Sequence, residues 1–540
     1  MIRMFLLVLW LAPSALSQSP TKPVDLCAAP PDAVPPALPA RLLEGQGYLN
    51  FPITTGNAKA QQFFNQGVVQ MHSFWAVEAE RSFLQAAELD PEAPMPHWGI
   101  AMVAAGDFRP RFQLEGQSRK KKKPAPTGGT LRAIEAAERA VRLSTVPGKA
   151  TKLERLYIAA VAARRDRIAK DPDADYIAGL RRLLAEFPQE TEAKSYLALH
   201  LMRGFTTPDK APRESSMEAV ALLRQLLAEA PDHPGVHHYV IHGFEGSHFA
   251  SEAWPSCRRY PQLTSNIPHA LHMPGHIYAQ TGKWKEAAES FEQAADNELR
   301  YISADALYGK GHHGHNVQFL VSTYCFLGEY EKALAAARGL MMFSENPREA
   351  SQPDNTGTPY RQGWFALMRT LVHFQKWDEL LGGDGLPVLD KPREKAWRCW
   401  ALGLAHAAKG QVAEARLQSK AMAAALKDFR GAVKVKVPEV LLIAQKELQG
   451  HIQVQSGRLD KGLETLRVAS LQERALRYSE PPAYPRPVLE ALGQLALRHG
   501  RLSVAEAAFH QALAQFPEST HARKGLAEIR LRNQAGAGGL

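Results

Sequence analysis

The sequence predicts an all-α protein built as a stack of antiparallel helical pairs. Three observations carry this. Small residues recur at one interval: Ala219, Ala253 and Ala287 are each separated by 34 residues. A large apolar residue and then a second small one follow at fixed offsets, as Phe83 and Ala86 follow Ala79, Phe291 and Ala294 follow Ala287, and Phe509 and Ala512 follow Ala505. No stretch alternates apolar and polar residues between turn signals, so no sheet domain is expected. A period of 34 filled by two helices is that of the tetratricopeptide repeat (TPR), whose units stack into a right-handed α-solenoid with one continuous core.

The elements follow in order. Arg3, the apolar run Met4 to Ala12 and the small residues Ala15-Leu16-Ser17 read as a secretory signal spanning residues 1–17. The run is too short to span a bilayer, and no later stretch is long and apolar enough to do so. Residues 18–56 are Pro-rich and expected to be partly disordered. The solenoid is expected over 57–531, opening with the pair around Ala79, where Gly67 precedes and Pro91 closes the unit. An insertion near 106–130 carries Arg119-Lys120-Lys121-Lys122-Lys123 beside Pro124 and Pro126. It reads as a solvated basic loop, and without interleaved aromatics it does not predict nucleic-acid binding.

Ala219 begins the central repeats, and Ala253 and Ala287 continue them. The next equivalent residue, Ala333, comes after 46 residues, and the surplus is assigned to a longer turn holding Gly309, Gly311 and Gly314. Weaker helical pairs are expected over 359–382, 394–428 and 437–477. The closing repeat lies around Ala505, with Gly493 before it and Pro517 after, and 532–540 form a flexible tail.

Composition excludes little. The chain has 540 residues, 45% of them hydrophobic and 22% charged, with a formal charge of +10, the profile of an ordinary globular chain. The four cysteines Cys27, Cys257, Cys325 and Cys399 form no zinc-finger spacing and no Cys-x-x-Cys. Cys257 and Cys325 are expected as small buried hydrophobes, and disulfide pairing stays open. There is no nucleophile elbow, no His-Glu-x-x-His and no phosphate-cradling loop, so no catalytic residue is assigned.

The histidines are the distinctive chemistry. Eleven of the 20 lie between His233 and His315, where an even spread would place about three. His238 and His242 map onto His272 and His276 under a shift of 34 residues. In a TPR, positions 2, 5, 9 and 12 of the first helix share the concave face, because these offsets fall on one side of a 3.6-residue helix. Those positions hold His238, His242 and Glu245 in one repeat, His269, His272 and His276 in the next, and His315 in the third. The i, i+4 pairs His238/His242 and His272/His276 have chelating spacing, and neighbouring helices pack ~8–10 Å apart. Neutral imidazoles with a carboxylate suit a divalent transition metal: zinc, copper or iron. Tyr239, Tyr278 and Asn316 are candidate outer partners. Met273 beside His272 hints at copper but fits a packing residue better. His237 falls on a packing position and is expected to be buried and structural, whereas His233, His248, His312 and His313 fit ordinary polar roles.

The segments His72-Ser73-Phe74-Trp75, Ala86-Ala87-Glu88-Leu89-Asp90-Pro91 and His97-Trp98-Gly99-Ile100-Ala101-Met102 resemble a family of secreted bacterial TPR proteins. That family also carries His-Tyr-x-Ile-His, His-Met-Pro-x-His-Ile-Tyr and His-Asn segments, matched here by His238 to His242, His272 to Tyr278 and His315-Asn316. Its closing repeat resembles Pro485 to Leu526. The resemblance implies the fold and marks the histidine segments; it implies no reaction.

Three functions are compatible with the sequence. The first is an exported, periplasmic or extracellular solenoid whose His/Glu cluster binds metal, with an open coordination position if it is a metalloenzyme. The second is a TPR adaptor that holds a protein or peptide in its groove without metal. Peptide-carboxylate clamps place Lys, Arg and Asn where His238, His242, His272 and His276 stand, which argues against that mode. The third is acid–base or pH-sensing use of the imidazoles alone.

Overall fold

A computed structural model describes residues 38–114, 127–304, 310–345, 357–383, 385–433, 436–479 and 481–537. The signal segment 1–17, the Pro-rich residues up to 37, Cys27, the basic run 119–123 and Gly309 lie outside the described residues. Among those described, the chain is a succession of α-helices. The only β contact is an isolated bridge between Phe205 and Pro212.

The first repeat helix, Ala58–His72, starts where Asn57 caps it, its side chain accepting the Lys59 and Ala60 N–H groups. It pairs with Ala76–Leu89. The small positions predicted from sequence, Ala79, Ala219, Ala253, Ala287, Ala333 and Ala505, are all completely buried. The glycines that precede them are equally constrained. A Cβ would lie 2.7 Å from Phe83 at Gly67, 2.4 Å from Phe291 at Gly275 and 2.6 Å from Phe509 at Gly493. The phenylalanine of the second helix therefore seats on bare backbone of the first, and the helices close to contact over it.

The weaker pairs are present as Pro359–His373 with Trp377–Leu381, Pro392–Ala408 with Val412–Val433, and Glu439–Gln455 with Leu459–Arg474. Two expectations change. Much of the surplus between Ala287 and Ala333 lengthens the helices, Trp284–Ala304 to 21 residues and Lys310–Leu327 to 18, and Gly311 and Gly314 lie inside the second instead of a turn. A Cβ at Gly314 would lie 2.9 Å from the terminal amide of Gln362, which would have to turn aside. At the C-terminus the last helix, Thr520–Ala537, runs through residues assigned to a tail.

Both ends of the chain fold back on its middle. Residues 38–56 pack as extended segments: Asn266 donates from its backbone to the Gly45 carbonyl at 2.8 Å, and Gln70 Nε2 donates to Gln46 Oε1 at 2.6 Å. Helix Ala58–His72 then lies against helix Pro234–Phe244. At the other end, Trp284 Nε1 donates to the Pro517 carbonyl at 2.6 Å, and Phe516 stacks on Phe326 at 4.9 Å. The face that an open solenoid would leave as a groove is thus filled beside the histidine repeats.

Candidate metal centre

Two helices supply most of the histidines. Pro234–Phe244 and Pro268–Gln280 each place proline in the first turn, where its missing N–H costs nothing. Each is the first helix of its repeat, and each turns its histidines onto the face that the first repeat covers.

The seven predicted residues come together and divide into two groups. His238, His242 and His269 form the first, with one ligand nitrogen from each all within 4.8 Å of one another. Their ring centroids are separated by 4.8 Å (His238–His242), 5.0 Å (His238–His269) and 6.1 Å (His242–His269). The second group is a hydrogen-bonded chain. His272 Nε2 lies 2.8 Å from His276 Nε2, and His276 Nδ1 lies 2.6 Å from Glu245 Oε1. Glu245 Oε2 in turn lies 3.3 Å from His242 Nδ1, which joins the two groups. His315 flanks the chain, its ring 5.3 Å from His272 and 4.6 Å from Phe319.

Hydrogen bonding sets the tautomers. His238 Nδ1 faces the His72 carbonyl at 2.5 Å; a carbonyl only accepts, so this nitrogen carries the proton and Nε2 keeps its lone pair. His242 and His276 each donate Nδ1–H to Glu245, which leaves the lone pair on Nε2 of His242, while Nε2 of His276 is taken up by the contact with His272. The Nε2 atoms of His238 and His242 and both ring nitrogens of His269 are buried without a hydrogen-bond partner, as is His272 Nδ1. Burial pushes His238, His269, His272 and His315 well below the usual histidine range, and neighbouring imidazoles add to the effect. Burial also lowers His242 despite the opposing pull of Glu245. Against the cost of its own burial, His276 and His242 hold the Glu245 carboxyl well below the carboxylate range. The triad His238, His242 and His269 is therefore held as neutral imidazoles beside an ionised carboxylate, the protonation state metal ligation requires.

Sequence reasoning missed the cover. Phe74, in the turn after the first helix, lies over the triad with centroid distances of 4.4 Å to His238, 5.3 Å to His242 and 5.7 Å to His269. It holds a left-handed backbone, φ +54°, which is strained for a bulky residue and aims the ring inward. The guanidinium of buried Arg109 sits 5.6 Å from the Phe74 centroid, and its charge adds to the lowering of His238, His242 and His315. The one available signal was His72-Ser73-Phe74-Trp75, a segment that carried the family resemblance without an assigned role.

Other expectations resolve simply. His237 is buried and bonded on both nitrogens, to Ser256 Oγ at 3.0 Å and the Pro231 carbonyl at 2.7 Å. Met273 is fully buried in the core, and Cys257 and Cys325 are buried free thiols. Tyr239 and Asn316 serve neighbours instead of the triad. The Tyr239 hydroxyl bonds His72 Nδ1 at 2.8 Å, and Asn316 donates to Glu298, which also holds His312. His233 takes the hydrogen-bonded core role: buried and bonded on both nitrogens, it makes with His72 and Glu192 a second buried cluster of metal-ligating residue types.

The architecture is that of a helical-repeat protein of the tetratricopeptide class with an internal histidine centre. A tetratricopeptide-repeat family model matches residues 273–316 and 490–539, covering most of the His272 helix and the closing repeat. No curated protein matches the chain. Among solved structures, the chain is similar to the human IFIT1 dimer with PPP-AAAA at 12% identity and a TM-score of 0.31, covering 89% of this chain and 92% of that one. It is similar to the APC/C hetero-tetramer Cut9-Hcn1 at 12% identity and a TM-score of 0.29, covering 87% and 76%. Yeast Tom70 gives 10% identity and a TM-score of 0.26, covering 89% and 90%. At these values the likeness says nothing of ligand or activity.

Proposed function

We propose that this is an exported TPR protein that holds one divalent transition-metal ion on His238, His242 and His269. The observation that carries the reading is the set of partnerless nitrogens. A buried polar atom left unbonded costs ~1–3 kcal/mol, and folded proteins keep few of them. Here four such nitrogens sit on the triad alone. An ion at the centre of the triad would use three of them at ~2.0–2.1 Å. Glu245 serves as the outer carboxylate that orients His242 and His276, and the His72 carbonyl does the same for His238. His272, His276 and His315 line the neighbouring space. Three histidines leave a fourth position for water or substrate, the arrangement of catalytic zinc sites, so the centre is compatible with a metalloenzyme.

Solenoids of this class also serve as protein-interaction scaffolds. A peptide lying on the histidine face is the weaker reading, because Phe74 and the first repeat already occupy it. The test is calorimetric titration of chelator-stripped, untagged protein with zinc. One saturable site is expected, and it should vanish in His238→Ala/His242→Ala. Absence of saturable binding, or equal binding by the variant, overturns the proposal.

A further inference from the structure

A separate cavity of about 210 Å³ opens where the C-terminal repeats close on the middle of the chain. Its floor is Gly246, next to Glu245, and Gln280, one turn beyond His276. These two are locked together, Gly246 donating its N–H to Gln280 Oε1 at 3.0 Å. The apolar walls are Trp284, Phe516 and Leu476, and the Trp284 ring is fixed by its bond to the Pro517 carbonyl.

The polar lining is unbalanced. Lys210, Arg474 and Arg477 all border the cavity. Among the described residues none of the three is paired with a carboxylate, and Arg477 donates only to the Phe112 carbonyl. Burial alone pushes the Lys210 ammonium below its usual range, with no acid opposing it. Among the described residues the one acid in the lining is Glu473, which accepts the Val488 N–H at 2.8 Å. Burial pushes its carboxyl up to about 8, so at neutral pH it is mostly protonated and cancels little of the positive charge. Gln515 Oε1, also in the lining, is buried without a partner.

Three cations without a carboxylate partner among the described residues, beside aromatic walls, select for one kind of ligand. A cavity of ~150 Å³ accommodates benzene, so this one admits a ring or fused ring with a substituent. Cations facing a partly desolvated space are best satisfied by a carboxylate, through charge-assisted hydrogen bonds. Aromatic walls favour a flat apolar body. We propose that the cavity lined by Lys210, Arg474, Arg477, Trp284 and Phe516 binds a small aromatic carboxylate. The site shares no side chain with the histidine triad and stands whether or not that centre holds metal.

The test uses the full mature chain and two probes of the same shape, 1-naphthoate and the neutral 1-naphthamide, each titrated calorimetrically. The expected result is one saturable site for 1-naphthoate, about tenfold or more tighter than for the amide, as charge-assisted hydrogen bonds require. Lys210→Gln/Arg474→Gln should weaken 1-naphthoate by about tenfold or more and bring the two probes to similar affinity. Both side chains are partly exposed, and circular dichroism checks that the variant folds. If it does not fold, the probe pair on the wild type decides alone. No saturable 1-naphthoate binding, equal affinity for the two probes, or full affinity in the folded double variant overturns the proposal. Zinc binding measured on the same preparations reports separately on the histidine centre.

Discussion

Two buried clusters of metal-ligating residues lie side by side in this protein, and they are built in opposite ways. In His72–Glu192–His233 every ring nitrogen is used. His72 Nε2 donates to Glu192 at 2.6 Å and Nδ1 accepts from Tyr239, while His233 Nε2 donates to Glu192 at 2.8 Å and Nδ1 accepts the Val236 N–H at 3.2 Å. In His238–His242–His269 the ligand atoms also gather within 4.8 Å of one another, yet four of the six ring nitrogens have no hydrogen-bond partner. Proximity alone therefore does not separate the two clusters; unspent lone pairs do, and they are the ground on which the metal site is proposed at the second. The first cluster is a strut that docks the first repeat onto the central ones. The second is a cavity of lone pairs that this docking seals.

The comparison can be broken, or sharpened, in several ways. The largest effect should be that of pH on metal-free protein. His238, His269, His272 and His315 have folded-state values well below the ordinary 6.5. Below that value the unfolded chain binds protons that the native state does not, so stability is intact above about pH 6.5 and falls as the pH drops. Each group loses ~1 kcal/mol between about pH 6.5 and 5.5, so the four together give a loss of ~4 kcal/mol, and the slope steepens towards ~1.4 kcal/mol per group per pH unit below that. Denaturant unfolding at both values checks this, and flat stability would mean that the histidines are solvated and the centre is open.

Glu192→Ala comes next. It strips the shared acceptor from two buried imidazoles and should cost ~3–5 kcal/mol, while zinc binding by the folded fraction stays unchanged. Gly275→Ala should cost ~1–3 kcal/mol by overpacking. Its Cβ would displace Phe291, whose ring lies 4.9 Å from His272, so this variant reports on the packing behind the centre. Glu245→Gln keeps the shape but weakens the orientation of His242 and His276. Zinc affinity should fall ~10–100-fold, read by competition with a chelator of known affinity, with little change in unfolding.

The repeats were legible because their constraints are local. An alanine that must vanish into a helix contact, or a glycine that must admit Phe83, Phe291 or Phe509, recurs at fixed offsets whatever lies elsewhere. The same phase places His238, His242, His269, His272 and His276 on one face of two neighbouring helices. What the phase does not contain is which nitrogens meet, since that depends on side-chain rotation and on carbonyls such as that of His72. Nor does it contain closure. Phe74 reaches the triad from a repeat more than 160 residues earlier, and no period encodes a contact between distant parts of a curved stack. Gly311 and Gly314 misled because glycine marks turns yet is also tolerated inside a helix, at a cost of about 1 kcal/mol relative to alanine.

The central claim is that the cluster with partnerless nitrogens holds the ion and the bonded cluster does not. Elemental analysis of three untagged proteins after dialysis against a weak chelator tests it directly: wild type, His238→Ala/His269→Ala and His233→Ala. The account predicts about one equivalent of transition metal in wild type and in His233→Ala, and none in His238→Ala/His269→Ala, matching the single three-nitrogen centre. Metal absent from wild type, retained in His238→Ala/His269→Ala, or lost from folded His233→Ala would contradict it.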